Sequence, residues 1–342
     1  MRAAVMRSKQ LLVEDVPEPS PGPGQVLVEV IACGICGSDL HALKFPDQMA
    51  ASAEASGAPF VFDIEKSLVM GHEFSARVIG FGAGVTDLRE GDIVVSMPVL
   101  LAAEGIVGLG YSNQYPGGYA ERMVLSAPLC IKVPSGLDPR HAALTEPMAV
   151  GLHAVAKSGA KPGDAALVYG CGPVGLAVIA ALRIAGIAPI VSADFSPMRR
   201  ALAKRLGAHE AGDPREEAAV AAWQRIDGKQ PLVLFEAVGV PGMLDRAMRD
   251  APRGSRILVV GVCMEPDQVW PMVGIGKELN LQFALGYEPA EFGRTLQLIA
   301  DGQIDVEALI TGEIGIAGVP DAFRTLASPD AHAKILVEPA LG

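Results

Sequence analysis

Short apolar runs alternate with helical patterns along the carboxyl-terminal half of this 342-residue chain. The run ALVYG (166–170) is followed by the helical stretch PVGLAVIAALRIAG (173–186). The alternation continues through the runs PIVSAD, PLVLFEAVG, SRILVVGV and LQFALGY. Helices between successive apolar strands favour a doubly wound sheet of parallel strands, because right-handed crossovers return each strand to the same sheet. The sequence therefore predicts an α/β fold in this half.

The residues before this region have a different pattern. The runs GQVLVEVIACGI (24–35) and EFSARVIGFG (73–82) are rich in β-branched residues and contain or end in glycine, which is typical of strands. Two longer stretches, 42–68 and 100–115, carry little strand signal, and long loops inside compact domains are usually functional. The pattern changes near Glu146. We therefore predict a mainly-β domain before that point.

Composition and charge exclude several classes of protein. Half of the residues are hydrophobic, which is enough for a sizeable core and excludes global disorder. The net charge of −11 repels phosphate backbones, so we expect no nucleic-acid partner. No apolar run reaches the roughly 18–20 residues of a membrane span, and the first residues do not resemble a signal peptide. We therefore expect a cytoplasmic protein with no membrane partner. Five cysteines are too sparse for a disulfide framework.

The string GCGPVG (170–175) follows the first apolar run and opens the first helix, which is the context of a dinucleotide-binding turn. Its first glycine permits the tight turn, its second lets the backbone approach a pyrophosphate, and its third allows close packing of helix on strand. The anion then lies at the amino terminus of the helix. The residues predicted to contact the cofactor here are Gly170, Gly172, Pro173, Val174 and Gly175.

Asp194 ends the next apolar run, about 20 residues after Gly175, where a carboxylate would bind the adenosine ribose. A carboxylate there repels a 2′-phosphate, so NAD is favoured over NADP. Arg199 and Arg200 oppose this preference, because an arginine nearby accommodates phosphate. The alternative is a tight strand–helix turn that binds no cofactor. Further cofactor contacts are expected from Arg199, Val238, Val260 and Gly261.

Three distinctive strings, GICGSDLH, GHE and TEP, contain Cys36, His72 and Glu146. Sulfur, nitrogen and oxygen ligands from three residues leave the fourth position on zinc open for a substrate, as catalytic zinc sites require. Cys33 and Cys36 also form a C-x-x-C pair, but the sequence has no second pair to complete a four-cysteine site. We therefore interpret Cys33 as a strand residue. Spacing alone does not establish the metal site, because only the fold brings scattered ligands together.

The strings GICGSDLH, GHE, EPMAVGLHA and GCGPVG, in this order, resemble those of the zinc-dependent medium-chain alcohol and polyol dehydrogenase superfamily. Within it, the chain resembles the branch of the sorbitol, threonine and butanediol dehydrogenases, and the resemblance covers nearly the whole sequence. It implies a GroES-like, mainly-β catalytic domain at 1–147, to which 287–342 return. It also implies a Rossmann domain at 148–286.

The resemblance also implies roles for single residues. Cys36 and His72 correspond to catalytic zinc ligands, Glu146 stands where polyol-type members have a glutamate ligand, and Glu73 is an alternative carboxylate. A histidine ligand in such sites is oriented by a second carboxylate, which corresponds to Asp39.

The family's proton relay falls on two residues of the same string as Cys36. Ser38 corresponds to its hydroxyl and His41 to its terminal base, for which an ordinary histidine pKa is suitable. The plainer alternatives are a helix N-cap for Ser38, a helix-surface position for His41 and a helix-start carboxylate for Glu146.

The implied function is zinc-dependent, NAD-linked interconversion of a secondary alcohol or polyol and its ketone or aldehyde, with a small-molecule substrate. Edge strands of the Rossmann sheet pair between subunits in this family, so the resemblance implies a homodimer or homotetramer. The stretch 264–275, with Trp270, is expected to cover that contact. Two other functions remain open: a zinc-independent quinone or enone reductase, whose branches lack the Cys/His/Glu set, and a non-catalytic homologue that binds NAD and zinc.

Two features depart from the family. The stretch 97–119 has no cysteine, whereas many members hold a structural zinc there, so we expect one zinc per chain. The interval from Cys36 to His72 is longer than usual, and the extra residues fall in 42–68. We predict that this insertion caps the substrate cleft; the alternatives are a surface excursion or an oligomer contact. Its large apolar residues include Phe45, Met49, Phe60 and Phe62.

Overall fold

The computed structural model describes residues 1–57, 62–326, 328 and 330–342. These residues divide into two compact units. The first consists of Met1–Glu146 and Ile310–Gly342, and the second of Pro147–Leu309. Phe60, named above in the insertion, lies outside the described residues.

The amino-terminal part of the first unit is mainly β. Its strands are β1 (Arg2–Arg7), β2 (Gln10–Asp15), β3 (Gln25–Gly34), β4 (Leu68–Val69), β5 (Glu73–Phe81), β6 (Ile93–Ser96), β7 (Val99–Ala102), β8 (Gly105–Gly108), β9 (Arg122–Ser126) and β10 (Cys130–Lys132). Its helices are α1 (Gly37–Lys44), α2 (Pro46–Ser56) and α3 (Pro139–Ala143).

Strands and helices alternate in the second unit. The helices are α4 (Thr145–Ser158), which begins at the boundary between the units, α5 (Pro173–Ile184), α6 (Pro197–Leu206), α7 (Ala219–Ile226), α8 (Met243–Asp250), α9 (Pro271–Lys277) and α10 (Pro289–Ala300). The strands are β11 (Ala165–Tyr169), β12 (Ile190–Ala193), β13 (Glu210–Gly212), β14 (Leu232–Glu236), β15 (Arg256–Val259) and β16 (Asn280–Phe283). The chain then returns to the first unit with β17 (Ile310–Ile314), α11 (Val319–Leu326) and β18 (Lys334–Val337).

The second unit has the doubly wound sheet that the sequence predicts. Its strands run parallel in the order β13-β12-β11-β14-β15-β16. This order, in which the chain starts centrally and reverses direction once, creates the switch point at which doubly wound folds bind nucleotides. Every residue of β11 and β14 is buried, as expected of strands covered on both faces by helices.

The first unit contains a larger, mostly antiparallel sheet in the order β10-β6-β5-β3-β18-β17, with β9 also paired to β3. A smaller sheet joins β2, β1 and β4. The buried residues Val28 and Val30 of β3 and Phe74 and Val78 of β5 belong to one apolar core. The mainly-β expectation for this region is therefore confirmed.

The second domain boundary differs from the sequence interpretation, which returned the chain to the first unit at 287. Residues up to Leu309 belong to the second unit. Side-chain contacts explain this: Glu291 Oε2 lies 2.8 Å from His153 Nδ1, and Asp305 pairs with Arg205 at 2.6 Å. These contacts hold α10 and the residues after it on the second unit.

The two stretches in which the sequence shows little strand signal also contain regular structure. Residues 100–115, which we interpreted as a loop, include the β7–β8 hairpin, in which Leu100 pairs with Val107. The glycines that made this hairpin resemble a loop in the sequence lie next to its turn and at its end. The insertion includes the last turn of α1 and all of α2, which is capped at Gly57 in the left-handed conformation. Within the described residues, no helix is long and apolar enough to cross a membrane.

Candidate metal centre and dinucleotide site

Three neighbouring strands, β5, β3 and β18, assemble the candidate metal centre. Gly34 near the end of β3 lies opposite Glu73 of β5 on one side and opposite Leu336 of β18 on the other. Cys36 follows β3, and His72 immediately precedes β5. The antiparallel register therefore brings Cys36 and His72 to the same end of the sheet.

The side chains of Cys36, His72 and Glu73 meet there. Their ligand atoms, one each of sulfur, nitrogen and oxygen, all lie within 4.8 Å of one another, and His72 and Glu73 are buried. Within the described part of the chain, Glu146 is not a member of this group. Its charge nevertheless acts on Lys334, which binds Glu73.

Lys334 of β18 makes a buried ion pair with Glu73. Its Nζ donates to the two carboxylate oxygens at 2.6 and 2.8 Å and to the backbone oxygen of Ile35 at 3.0 Å. Burial would lower the pKa of Lys334, but Glu73 and Cys36 raise it, so the ammonium stays charged. The pair crosses β3 at Gly34, where a Cβ atom would lie 2.1 Å from Glu73 Oε2. Only glycine leaves room for this crossing.

Asp39, fully buried in the first turn of α1, organises the candidate ligands. Its Oδ1 lies 3.3 Å from Nδ1 of His72. Its Oδ2 accepts hydrogen bonds from the Cys36 N–H at 3.0 Å and from the Tyr119 hydroxyl at 2.5 Å. Burial would raise the pKa of Asp39, but the charge of His72 and these hydrogen bonds lower it. With a metal at Nε2, a carboxylate at this distance from Nδ1 would orient the His72 ring.

Ser38 and His41 project from the same helix. The Ser38 hydroxyl oxygen lies 3.5 Å from Nε2 of His72. Nδ1 of His41 is buried and has no hydrogen-bond partner among the described residues. Burial, followed by the charge of Lys44, lowers the pKa of His41, so its imidazole is neutral at pH 7 and able to accept a proton.

Two tyrosines of this site were missed by the sequence analysis. The Tyr111 hydroxyl donates to Ser38 Oγ at 2.9 Å, and the Tyr119 hydroxyl binds Asp39. Burial raises the pKa of both tyrosines well above the usual value, so both remain neutral hydrogen-bond donors. Tyr111 lies in the stretch 100–115, which carries little strand signal, and Tyr119 lies just after it. No local pattern linked either tyrosine to the metal strings.

The donor chemistry fits zinc. A thiolate, an imidazole and a carboxylate are all accepted by zinc in proteins, and three such ligands leave one position for a substrate. Cys33, the other half of the C-x-x-C pair, does not join the set, because it is buried in β3 and burial raises the pKa of its thiol well above the usual value. The residues that would hold the metal are therefore Cys36, His72 and one carboxylate.

In the second unit, the glycine-rich turn joins β11 to α5 in the geometry of a dinucleotide site. Gly170 has a φ of 87°, in the left-handed region, and a Cβ on Gly175 would lie 1.9 Å from the Gly170 oxygen. A Cβ on Gly172, the N-cap of α5, would meet nothing closer than 3.9 Å. The turn is thus closed towards the protein and open where a phosphate would approach. Pro173 and Val174 form the first turn of α5, so the residues fit a dinucleotide.

Asp194 lies at the end of β12, directly beside this turn. Its carboxylate accepts hydrogen bonds from the backbone N–H groups of Cys171 at 2.7 Å and Ser196 at 2.8 Å. Arg200 is held by the backbone oxygen of Asp194 and other acceptors. By contrast, Nε of Arg199 is buried and finds no hydrogen-bond partner among the described residues.

Glu236 is hydrogen-bonded to the loops that follow β14 and β15 at the carboxyl edge of the sheet. Its Oε1 accepts from the Val238 and Gly239 N–H groups, and its backbone oxygen accepts from those of Val260 and Gly261. A Cβ on Gly170 would lie 2.9 Å from Val238 Cγ2. Val238 therefore borders the glycine-rich turn, and the Glu236 bonds hold the predicted cofactor residues Val238, Val260 and Gly261 in place.

Comparison with known proteins identifies the family of the chain. Residues 22–135 match the family described as the alcohol dehydrogenase GroES-like domain, and residues 173–301 match that described as zinc-binding dehydrogenase. The chain is 33% identical to an (R,R)-butanediol dehydrogenase of Neisseria gonorrhoeae over the full length of both proteins.

Two solved structures share the fold along nearly the whole chain. The crystal structure of 2R,3R-butanediol dehydrogenase from Bacillus subtilis matches with 32% identity and a TM-score of 0.84, covering 99% of each chain. A Sinorhizobium meliloti protein bound to NADP matches with 27% identity and the same TM-score, also covering 99% of each chain.

The family domains together span most of the sequence, and the relatives match it from end to end. The family implies zinc and a nicotinamide dinucleotide as cofactors, and the residues at both sites fit them. The chain therefore belongs to the zinc-dependent alcohol and polyol dehydrogenases of the medium-chain superfamily and is an oxidoreductase of that family.

Proposed function

We propose that this enzyme oxidises a small vicinal diol or related secondary alcohol to the ketone, and catalyses the reverse reduction, with NAD as cofactor. The observation that carries the proposal is the group formed by Cys36, His72 and Glu73 next to the Ser38 hydroxyl. The butanediol dehydrogenases among the relatives support the substrate class.

The bound metal supplies a Lewis acid that lowers the pKa of the alcohol, and the nicotinamide supplies the hydride acceptor. The residues of the chain provide the rest. Asp39 fixes the orientation of His72, and Ser38 offers a hydroxyl through which the substrate proton leaves. His41, neutral at pH 7, is the base at the end of this proton path.

The test combines metal content with turnover. We expect purified enzyme to contain one zinc per chain by elemental analysis and to reduce NAD, followed at 340 nm, with butane-2,3-diol or another member of a diol and polyol panel. Two zincs per chain would contradict the single metal site. Turnover without any metal would overturn the proposed mechanism in favour of a zinc-independent reductase.

We also propose Glu73 as the carboxylate ligand. It belongs to the group with Cys36 and His72, whereas Glu146 does not. Lys334 binds both Glu73 oxygens and holds the carboxylate in place beside the site. Under this proposal, Glu73→Gln lowers zinc content more than Glu146→Gln does; the reverse ranking would assign the ligand to Glu146.

NAD as the cofactor is supported by Asp194. Its carboxylate is held beside the glycine-rich turn by two backbone N–H groups, where it opposes a 2′-phosphate. Comparing kcat/KM for NAD and NADP tests this preference. A higher value for NADP would overturn the preference assigned to Asp194.

We propose that the chain forms a homodimer through β16, alone or as the unit of a tetramer. This strand lies at the edge of the sheet, and all four of its residues are exposed. Phe283 and Leu285 are 60% and 73% exposed, and Trp270 and Ile275 of the stretch singled out from sequence are also exposed. A second copy that extends the sheet would cover these side chains. We expect Phe283→Lys to yield monomers in sedimentation velocity.

We place the reaction in the cytoplasm. All five cysteines are free, as in proteins of reducing compartments. Cell fractionation with an antibody against the chain tests the assignment.

A further inference from the structure

Tyr111 lies at a junction between the metal centre and the insertion. It is 5% exposed, and its ring centroid lies 5.4 Å from that of His72. Its hydroxyl is 2.9 Å from Ser38 Oγ and 3.4 Å from Asp39 Oδ1. One side chain therefore touches a candidate metal ligand, the proton path and the carboxylate that orients the ligand.

A residue of the insertion, Phe62, also contacts Tyr111. Phe62 stacks on its ring with centroids 6.3 Å apart and an angle of 28° between the planes, and Phe62 is itself buried. Phe62 leads directly into the segment that returns to β4.

That segment is hydrogen-bonded to Asn113, two residues after Tyr111. The Asn113 side chain accepts from the Asp63 N–H at 2.7 Å and donates to the backbone oxygens of Asp63 and Ser67 at 3.0 and 3.1 Å. Three hydrogen bonds from one side chain hold the Phe62 backbone and the Tyr111 backbone in a fixed relation. The contact between the two rings is therefore built into the fold.

We propose that Tyr111 is a positioning residue for the proton path and that the insertion holds it there through Phe62. The proposal rests on the proposed function, because it assigns Tyr111 a role through Ser38. A serine hydroxyl has one hydrogen to donate and two positions at which it accepts. With the Tyr111 hydrogen occupying one acceptor position, the orientation of the Ser38 hydroxyl is restrained. Its second acceptor position is left for the substrate O–H, and its own hydrogen passes on along the proton path. The predicted role of the insertion as a cap over the cleft thereby becomes a more specific one.

The test compares Tyr111→Phe with Tyr115→Phe in the zinc-loaded enzyme. Tyr115 belongs to the same segment, but its hydroxyl binds the exposed Glu104. Tyr115→Phe therefore removes one phenol oxygen in the same way and is the matched control. With butane-2,3-diol and NAD, we expect Tyr111→Phe to lower kcat by about tenfold with KM changed less than about threefold, since an oriented proton path contributes at least that much. The solvent deuterium isotope effect on kcat should rise, because proton transfer becomes more rate-limiting. Tyr115→Phe should match the wild type in all three quantities.

Two further readouts separate positioning from a general structural role. In cobalt-substituted protein, the visible absorption bands should be the same for Tyr111→Phe and wild type, since the ligands are intact. Phe62→Leu keeps the phenol but loosens its support, so it should lower kcat in the same direction and by less. If Tyr111→Phe does not fold, the proposal is judged on Phe62→Leu. A lower kcat in that variant supports the positioning role, and an unchanged kcat overturns it.

The outcomes distinguish this inference from the proposed function. A wild-type enzyme that oxidises the diol, together with a Tyr111→Phe enzyme of unchanged kcat and isotope effect, would overturn the positioning role alone. Altered cobalt bands in Tyr111→Phe would assign the loss to a disturbed metal centre and also overturn it. A zinc-loaded wild type without turnover on any alcohol would overturn both.

Discussion

Lys334 and Glu73 form an ion pair at the candidate metal centre with at most 2% of either side chain exposed. They belong to β18 and β5, which are separated by β3, and they meet only because the intervening residue is Gly34. A charged pair removed from water to this degree is strongly destabilising when one partner is lost, since the other charge stays buried and uncompensated.

Lys334→Met should therefore destabilise the metal-free protein by about 3–5 kcal/mol. The double variant Lys334→Met with Glu73→Gln removes both charges and should recover a large part of the loss. Urea unfolding of the four proteins in a double-mutant cycle measures the coupling directly. Additive losses in the double variant would show that the pair does not act as a unit.

The same pair predicts a pH dependence of stability. The pKa of Lys334 is raised in the folded state, so its contribution is fully present below the unfolded pKa of about 10.4 and is lost as the pH rises through the folded pKa. In the metal-free protein, wild type should lose stability above about pH 10.4 more steeply than the Lys334→Met, Glu73→Gln double variant. Identical slopes from thermal unfolding between about pH 9 and 11.5 would rule out this contribution.

Gly34→Ala tests the crossing itself. The added methyl would lie 2.1 Å from Glu73 Oε2, too close for both atoms to stay where they are. We expect lower stability and lower zinc content than in wild type, although no ligand is changed. Gly24→Ala is unsuitable as a control, because Gly24 has a left-handed φ; Gly37→Ala is suitable, since a Cβ there meets nothing within 4 Å. A Gly34→Ala enzyme with full zinc content would show that Glu73 has another position compatible with the metal.

Cys36→Ala should remove the metal and the activity together. A Lewis acid supplies several kcal/mol to alcohol oxidation, so kcat/KM should fall by about a thousandfold or more. Cys33→Ala is the matched comparison, because Cys33 is buried in β3 and lies outside the ligand group. Elemental analysis and the 340 nm assay should separate the two variants; equal zinc content in both would contradict the ligand assignment.

Asp194→Ser should shift cofactor preference towards NADP. Removing the carboxylate ends its repulsion of a 2′-phosphate, and Arg199 retains a buried Nε without a partner among the described residues. We expect the ratio of kcat/KM for NADP to that for NAD to rise by roughly tenfold or more, about 1.4 kcal/mol. Adding Arg199→Ala should cancel the gain; if the ratio is unaffected by Arg199, that residue does not contact the phosphate.

Sequence reasoning was most successful where the functional residues are contiguous. The glycine-rich turn, its helix and Asp194 follow one another along the chain, so local strand, turn and helix patterns are sufficient to predict their arrangement. The doubly wound sheet follows from the same local alternation.

The candidate metal centre could be predicted only from the family resemblance. Cys36 and His72 are joined by the register of β3 against β5, which no local pattern specifies. Lys334 was missed altogether, although a lysine at the start of the apolar run AKILVEP was a signal that its charge needed a buried partner. Tyr111 follows a hairpin whose glycines resemble a loop, and its partner Ser38 is remote in sequence.

The crossing of β3 by Lys334 has a consequence for biosynthesis. Glu73 leaves the ribosome long before Lys334, and the whole second unit is translated between them. Domains generally fold as units during synthesis. The continuous nucleotide-binding unit is therefore able to fold while Glu73 still lacks its counter-ion, and the larger sheet of the first unit has to wait for its last strands. A metal ion that binds to the nascent chain in this interval would meet Glu73 before Lys334 is in place.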